Sequence, residues 1–236
     1  VMDPIEELAA LARGASPNPI PLHVDACFGG FMLPWVEKLG HPVPQWDFRV
    51  DGVTSISADV HKYGWGAKGS SILLWRSSAY RRHMIFSYSD WPGGLFASPS
   101  MAGSRPGGVI AASWASLMSL GEEGFLDIAR DVMATATSMR EAIAAIPGLA
   151  IVGKPVMTAF AIRSDRPNVN ILAVADAMEK RGWKMERQQK PDCLHCSIMP
   201  HHKTSSGQFV TDMAESVKDV IANPGLAKEG TAGMYG

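Results

Sequence analysis

A lysine that follows a histidine at the end of a strand-like stretch is the best-placed amine nucleophile in this sequence. The stretch is SISADVHKYG, residues 55–64, and the lysine is Lys62. In a partly desolvated pocket its pKa falls, which frees the lone pair to attack a carbonyl carbon. The same His-Lys pair also serves as ordinary solvated surface. A second cluster, HVDACFGG at residues 23–30, ends an apolar strand in Asp25, then small residues and two glycines. Ligands of α/β sheets bind beyond the carboxyl ends of the strands, so Asp25 points where a cofactor would lie. The alternative is a carboxylate that caps the next helix. A third cluster, residues 91–108, is rich in Gly, Ser and Pro and carries Arg105. Backbone N–H groups of such a loop bind anions, and an arginine adds charge. It also reads as a long turn-rich connection.

The elements that must position these groups follow from hydrophobic spacing. Asp3, Pro4 and Glu6 have the spacing of a capping box with proline at the first helical position, and predict a helix to about Arg13. Residues 20–24, 53–58 and 71–75 read as strands, and residues 31–39 as a helix kinked at Pro34. Residues 109–120, small and apolar, read as a buried helix. A longer helix follows, with Ile128, Val132, Ala136, Met139, Ile143 and Ile146 on one face and a stop at Pro147-Gly148. Strands are expected at 149–152, 156–162 and 194–199. A helix over 171–181 is capped by Gly182, and a last amphipathic helix carries Phe209, Met213, Val217 and Ile221. Short alternating helices and strands predict an α/β first part. The remainder reads as a smaller α+β domain, with the boundary near residue 125.

Bulk properties narrow the function. The chain has 236 residues and a formal net charge of −1, which argues against a dedicated nucleic-acid binder. Three cysteines, Cys27, Cys193 and Cys196, read as reduced thiols in a cytosol-like compartment. No apolar run reaches the roughly 18 residues of a membrane span. Val1 does not open like a natural N-terminus, so a fragment of a longer chain is expected.

Taken together, the three clusters resemble fold-type I pyridoxal-phosphate (PLP) enzymes of the group II decarboxylase branch. The wording is closer still to the sphingosine-1-phosphate lyase family. The stretches that carry the likeness are HVDACFGG (23–30), DFRVDGVTSISADVHKYG (47–64), KGSSILLW (68–75), DWPGGLFASPSMAGSRPGG (90–108) and GMYG (233–236). The likeness covers nearly the whole chain. It implies an α/β fold: the C-terminal half of a PLP-dependent transferase-like large domain over residues 1–125, followed by a small α+β domain over 126–236.

The resemblance also implies roles. Asp25 would pair with the pyridine nitrogen of pyridoxal 5′-phosphate, and Lys62 would hold its aldehyde carbon as a Schiff base. PLP is an electron sink. His61 matches the family's phosphate-contacting histidine. Ala26 and Cys27 would pack against one ring face, with His23 supporting Asp25. Lys68 matches a second family lysine, for acid/base or phosphate duty, ahead of Tyr63. Gly103 and Ser104 resemble the loop that reaches the cofactor phosphate of a neighbouring subunit, which implies a homodimer. The family reaction is retro-aldol cleavage of a phosphorylated long-chain base, sphingosine 1-phosphate or its dihydro form, to a long-chain aldehyde and phosphoethanolamine.

Relatives carry a phosphate-binding loop and a ring-stacking histidine upstream of the aspartate, and neither is found here. A PLP amino-acid decarboxylase and a truncated, non-catalytic subunit therefore remain as alternative readings. The expected location is the cytoplasm, or the cytosolic face of the endoplasmic reticulum for eukaryotic members anchored by an N-terminal helix. Cys193, His195, Cys196, His201 and His202 have the look of a zinc half-site, but alternation along residues 194–199 sends Cys193 and Cys196 to opposite faces. No metal is expected.

Overall fold

The computed structural model describes residues 1–223 and 225. The GMYG stretch lies outside the described residues. Contacts divide the chain into two compact units: Asp3–Phe125, and Val1–Met2 with Leu126–Gly236.

In the first unit, β1 (Leu22–Asp25), β2 (Val53–Ala58) and β3 (Ile72–Trp75) form one sheet in that order. Strands β1 and β2 are parallel, with Asp25 opposite Ser57, whereas β3 runs antiparallel to β2. A parallel pair needs a long crossover, here residues 26–52 with α2 (Leu33–Lys38). Five of the six β2 residues are buried, as expected of a central strand covered on both faces. Helix α1 (Ile5–Gly14) buries Ile5 and Ala9 and contacts β1.

Two local expectations are corrected. Pro4, not Asp3, is the N-cap of α1, and no side chain caps it; the aspartate lies one residue too early, so the capping box does not form. Pro34 sits in the first turn of α2. There its missing N–H would have no intrahelical partner in any case, so it starts the helix instead of kinking it.

The Gly/Ser/Pro-rich stretch is more ordered than a plain loop. After α3 (Ser78–Arg81) come β4 (Phe86–Tyr88) and β5 (Phe96–Ser98), which pair as an antiparallel hairpin. Helix α4 (Gly107–Ala144) merges the two helices expected from sequence, but the first of them is not buried: Ile110, Trp114 and Met118 are exposed. Helix α4 breaks at Gly121, where φ is 58° and ψ −171°, a backbone that only glycine adopts cheaply.

The second unit is built on an antiparallel sheet of order β6-β7-β9-β8: β6 is Leu149–Ile151, β7 Ala159–Ser164, β8 Glu186–Gln188 and β9 Cys193–Ser197. Helices α5 (Ile171–Lys180) and α6 (Ser206–Ala222) and the last turns of α4 supply the other half of its core. Ile143, Ile162, Val174, Leu194 and Met213 there are fully buried. Asn170 caps α5 by accepting from the Leu172 N–H at 2.9 Å. Helix and strand mix in both units, in keeping with the α/β architecture and small α+β C-terminal domain expected from sequence. Among the described residues no helix is long and apolar enough to cross a membrane.

Candidate active site

The parallel pairing of β1 and β2 brings the first two motifs to one place. Both strands end at the same edge, Asp25 closing β1 and Ala58 closing β2. The Asp59 backbone N–H then donates to the Cys27 carbonyl at 3.3 Å, tying the two loops together. The second glycine of the first motif, Gly30, allows that approach. A Cβ on Gly30 would lie 2.7 Å from the Ala58 Cβ and 2.8 Å from the Ala26 carbonyl oxygen, so a side chain would push the loops apart.

Asp25 is held by its neighbours. Ser57 Oγ donates to Asp25 Oδ1 at 2.9 Å, and the Cys27 backbone N–H donates to the same oxygen at 3.1 Å. The Ser57 hydroxyl, then the Cys27 N–H, keep this carboxyl below the ordinary range, burial opposing them. Asp25 is therefore ionised at neutral pH. His23 lies alongside, its Nδ1 2.9 Å from Ser55 Oγ and its Nε2 3.2 Å from Ser57 Oγ.

Lys62 sits in a turn closed by its own N–H to the Asp59 carbonyl at 3.2 Å and by Gly66 N–H to the Val60 carbonyl at 2.9 Å. A Cβ on Gly64 would be 2.7 Å from the Val60 carbonyl oxygen, which explains the glycine after the aromatic residue. The amine lies 2.9 Å from Asp59 Oδ2 and 5.7 Å from the centre of the Phe28 ring. The Cys27 side chain stands beside both the Lys62 amine and the Asp25 carboxylate.

The expected depression of the lysine pKa is not found. Burial does pull it down, but the Cys27 side chain and the Asp59 carboxylate outweigh burial and hold it above the ordinary lysine value. Asp59, which the sequence reading missed, is therefore part of the site. Burial pushes its own pKa up, and hydrogen bonds from Ser71 and Lys62 more than reverse that. A carboxylate three residues before the lysine was the available signal. We expect Asp59→Asn to lower the Lys62 pKa. Neutral amine then becomes available at lower pH, so the pH midpoint for covalent capture of PLP moves down. Following capture by absorbance across pH checks this, and an upward or absent shift would count against the ion pair.

The other expected residues fall in different surroundings. His61 Nδ1 is 2.8 Å from the Ser70 carbonyl and its Nε2 is 3.7 Å from Asp59 Oδ2, so its ring braces the lysine turn here. Tyr63 is 2% exposed and packs edge-on to Phe28 and Trp65; it is a core residue. Ala26 is buried, whereas Lys68 and Ser104 are exposed and Gly103, at φ +65°, is partly so. In the second unit, β9 places Cys193 and Cys196 three positions apart, on opposite faces. Burial pushes the Cys196 thiol up to about 12. Among the described residues no cluster of three or more His, Cys, Asp or Glu could hold a metal ion.

Residues 2–164 match the family described as the pyridoxal-dependent decarboxylase conserved domain. The chain belongs to that family. Its cofactor is pyridoxal 5′-phosphate, and the donor set fits it. An ionised carboxylate suits a protonated ring nitrogen, and an amine on the adjacent strand's loop suits the aldehyde carbon. The chain is also similar to proteins named sphingosine-1-phosphate lyase. One from Oryza sativa is 45% identical over 236 residues, all of this chain and 43% of that protein. The solved structure of one from Burkholderia pseudomallei superposes with a TM-score of 0.87 at 45% identity, over 94% of this chain and 50% of that one. The glutamate decarboxylase of Lactobacillus brevis shares the fold, with a TM-score of 0.75 at 20% identity over 93% of this chain and 52% of that one. The chain thus spans about half the length of the relatives it matches.

Proposed function

We propose that this chain supplies the lysine-bearing part of a PLP-dependent carbon–carbon lyase acting on phosphorylated long-chain bases. The observation that carries the reading is the meeting of Asp25 and Lys62 at the same ends of two parallel strands, bridged by Cys27. Identity of 45% with named sphingosine-1-phosphate lyases supports the substrate class.

When bound, PLP supplies a ring that accepts the electron pair left on a substrate carbon. The protein's share is to place and charge that ring. Asp25, kept ionised by Ser57 and the Cys27 N–H, would hold a proton on the ring nitrogen. Lys62 would hold the aldehyde carbon, and Asp59, 2.9 Å from the Lys62 amine, would balance the charge of that amine when it is free. Ala26 and Cys27 leave room for a flat ring because their side chains are small. Lys68 is exposed beside this turn and is assigned to the substrate's phosphate or to proton transfer. The segment of partly exposed Gly103 and exposed Ser104 is assigned to the cofactor phosphate of a second copy of the chain.

The decisive experiment incubates the full chain with PLP and either dihydrosphingosine 1-phosphate or glutamate. The expected products are a long-chain aldehyde and phosphoethanolamine from the first substrate only. Carbon dioxide from glutamate, with no aldehyde from the lipid, would replace this reading with the decarboxylase one. No product from either would assign the chain a non-catalytic role.

A further inference from the structure

We propose that Ser57, backed by His23 and Ser55, is a positioning residue that fixes the Asp25 carboxylate for the ring nitrogen of PLP. The inference rests on the reading of Asp25 given above and adds to it the group that orients this aspartate.

The argument begins with the hydrogen count. A serine hydroxyl has one proton to give, and that of Ser57 goes to Asp25 Oδ1 at 2.9 Å. The contact of 3.2 Å between Ser57 Oγ and His23 Nε2 must then be donated by the histidine. This places a proton on Nε2. In the neutral ring Nδ1 is bare and accepts the Ser55 hydroxyl at 2.9 Å. Ser55 is buried at 5% exposure and sits two residues before Ser57 on the same face of β2. All three donations run one way, from Ser55 through His23 and Ser57 to the carboxylate. Donors aligned in one direction polarise one another, and each strengthens the next.

The geometry also selects an oxygen. Ser57 and the Cys27 N–H both donate to Oδ1. Oδ2 receives neither of these bonds and is the oxygen assigned to the ring nitrogen. Strand register makes this arrangement: Asp25 is opposite Ser57 and His23 is opposite Ser55 in the parallel β1–β2 pair. Each acid or imidazole on β1 thus has its own serine on β2.

The test uses the cofactor-free chain, so it does not depend on turnover. The Asp25 carboxyl is followed by carbon NMR across pH in the parent, in Ser57→Ala and in Ser57→Thr, and the His23 tautomer is read from nitrogen shifts in the parent. We expect Asp25 to titrate at a higher pH in Ser57→Ala, the threonine variant to restore the parent curve, and His23 to carry its proton on Nε2. PLP affinity should fall about tenfold in Ser57→Ala, the scale of one hydrogen bond to a charged group. An Asp25 curve unchanged in Ser57→Ala, or a neutral His23 with Nε2 bare, overturns the proposal. The tautomer needs no variant, so the question is settled even if Ser57→Ala does not fold. Asp25→Ala separates the two layers. Unaltered PLP binding in that variant removes the reading of Asp25, while the Asp25 titration in Ser57→Ala still reports on the relay.

Discussion

Lys62→Ala is expected to carry no PLP label after borohydride reduction, and to lose turnover of a phosphorylated long-chain base by at least about a thousandfold. The expectation rests on position. Lys62 is the amine that lies at the carboxyl edge of the β1–β2 pair, 2.9 Å from Asp59 and above the Phe28 ring. Lys68 is six residues on and exposed. Removal of a covalent anchor also removes the group that releases product, which is why the loss is larger than for a residue that only binds. Peptide mapping of the reduced protein measures the label directly. Parent chain should be labelled on Lys62 alone, and Lys68→Ala should be labelled like the parent. Label on Lys68 in the parent would move the assignment to the second lysine.

The second large effect is expected at Asp25. An ionised carboxylate that hydrogen-bonds a protonated ring nitrogen contributes about 2 kcal/mol, so Asp25→Ala should weaken PLP binding roughly 30-fold. Turnover should fall further, because a ring nitrogen without its proton is a poorer electron acceptor. Asp25→Asn keeps the shape and loses the charge, and should resemble the alanine variant in turnover. Equilibrium dialysis gives the first quantity and product formation the second. An asparagine variant with full turnover would show that charge is not what Asp25 provides.

Much of the site was legible because its chemistry lies in contiguous motifs. Asp25 ends a strand whose apolar run is plain, Lys62 lies four residues past the end of β2, and β2 was placed to the residue because Val53 and Ile56 anchor a buried stretch. What was not legible depended on pairing register. That Ser57 faces Asp25, and Ser55 faces His23, follows from a parallel alignment that spacing along one chain does not encode. Asp59 was visible at three residues from the lysine, yet its effect needed the turn that folds it back. The hairpin of β4 and β5 was hidden for another reason. Strands of three residues are too short to show alternation, and the surrounding Gly and Pro read as turn. Pro34 shows the reverse error: proline inside an apolar run suggested a bend, whereas the helix starts only one residue before it.

The crossover between β1 and β2 has a kinetic consequence. Nearly thirty residues must close into a loop before Asp25 and Ser57 can meet, and non-local parallel pairing forms slowly because chain entropy is lost before contacts compensate. The acid and the amine therefore come together late, as a product of tertiary folding. A synthetic peptide of residues 50–70 would contain the lysine signature in full and none of its chemistry.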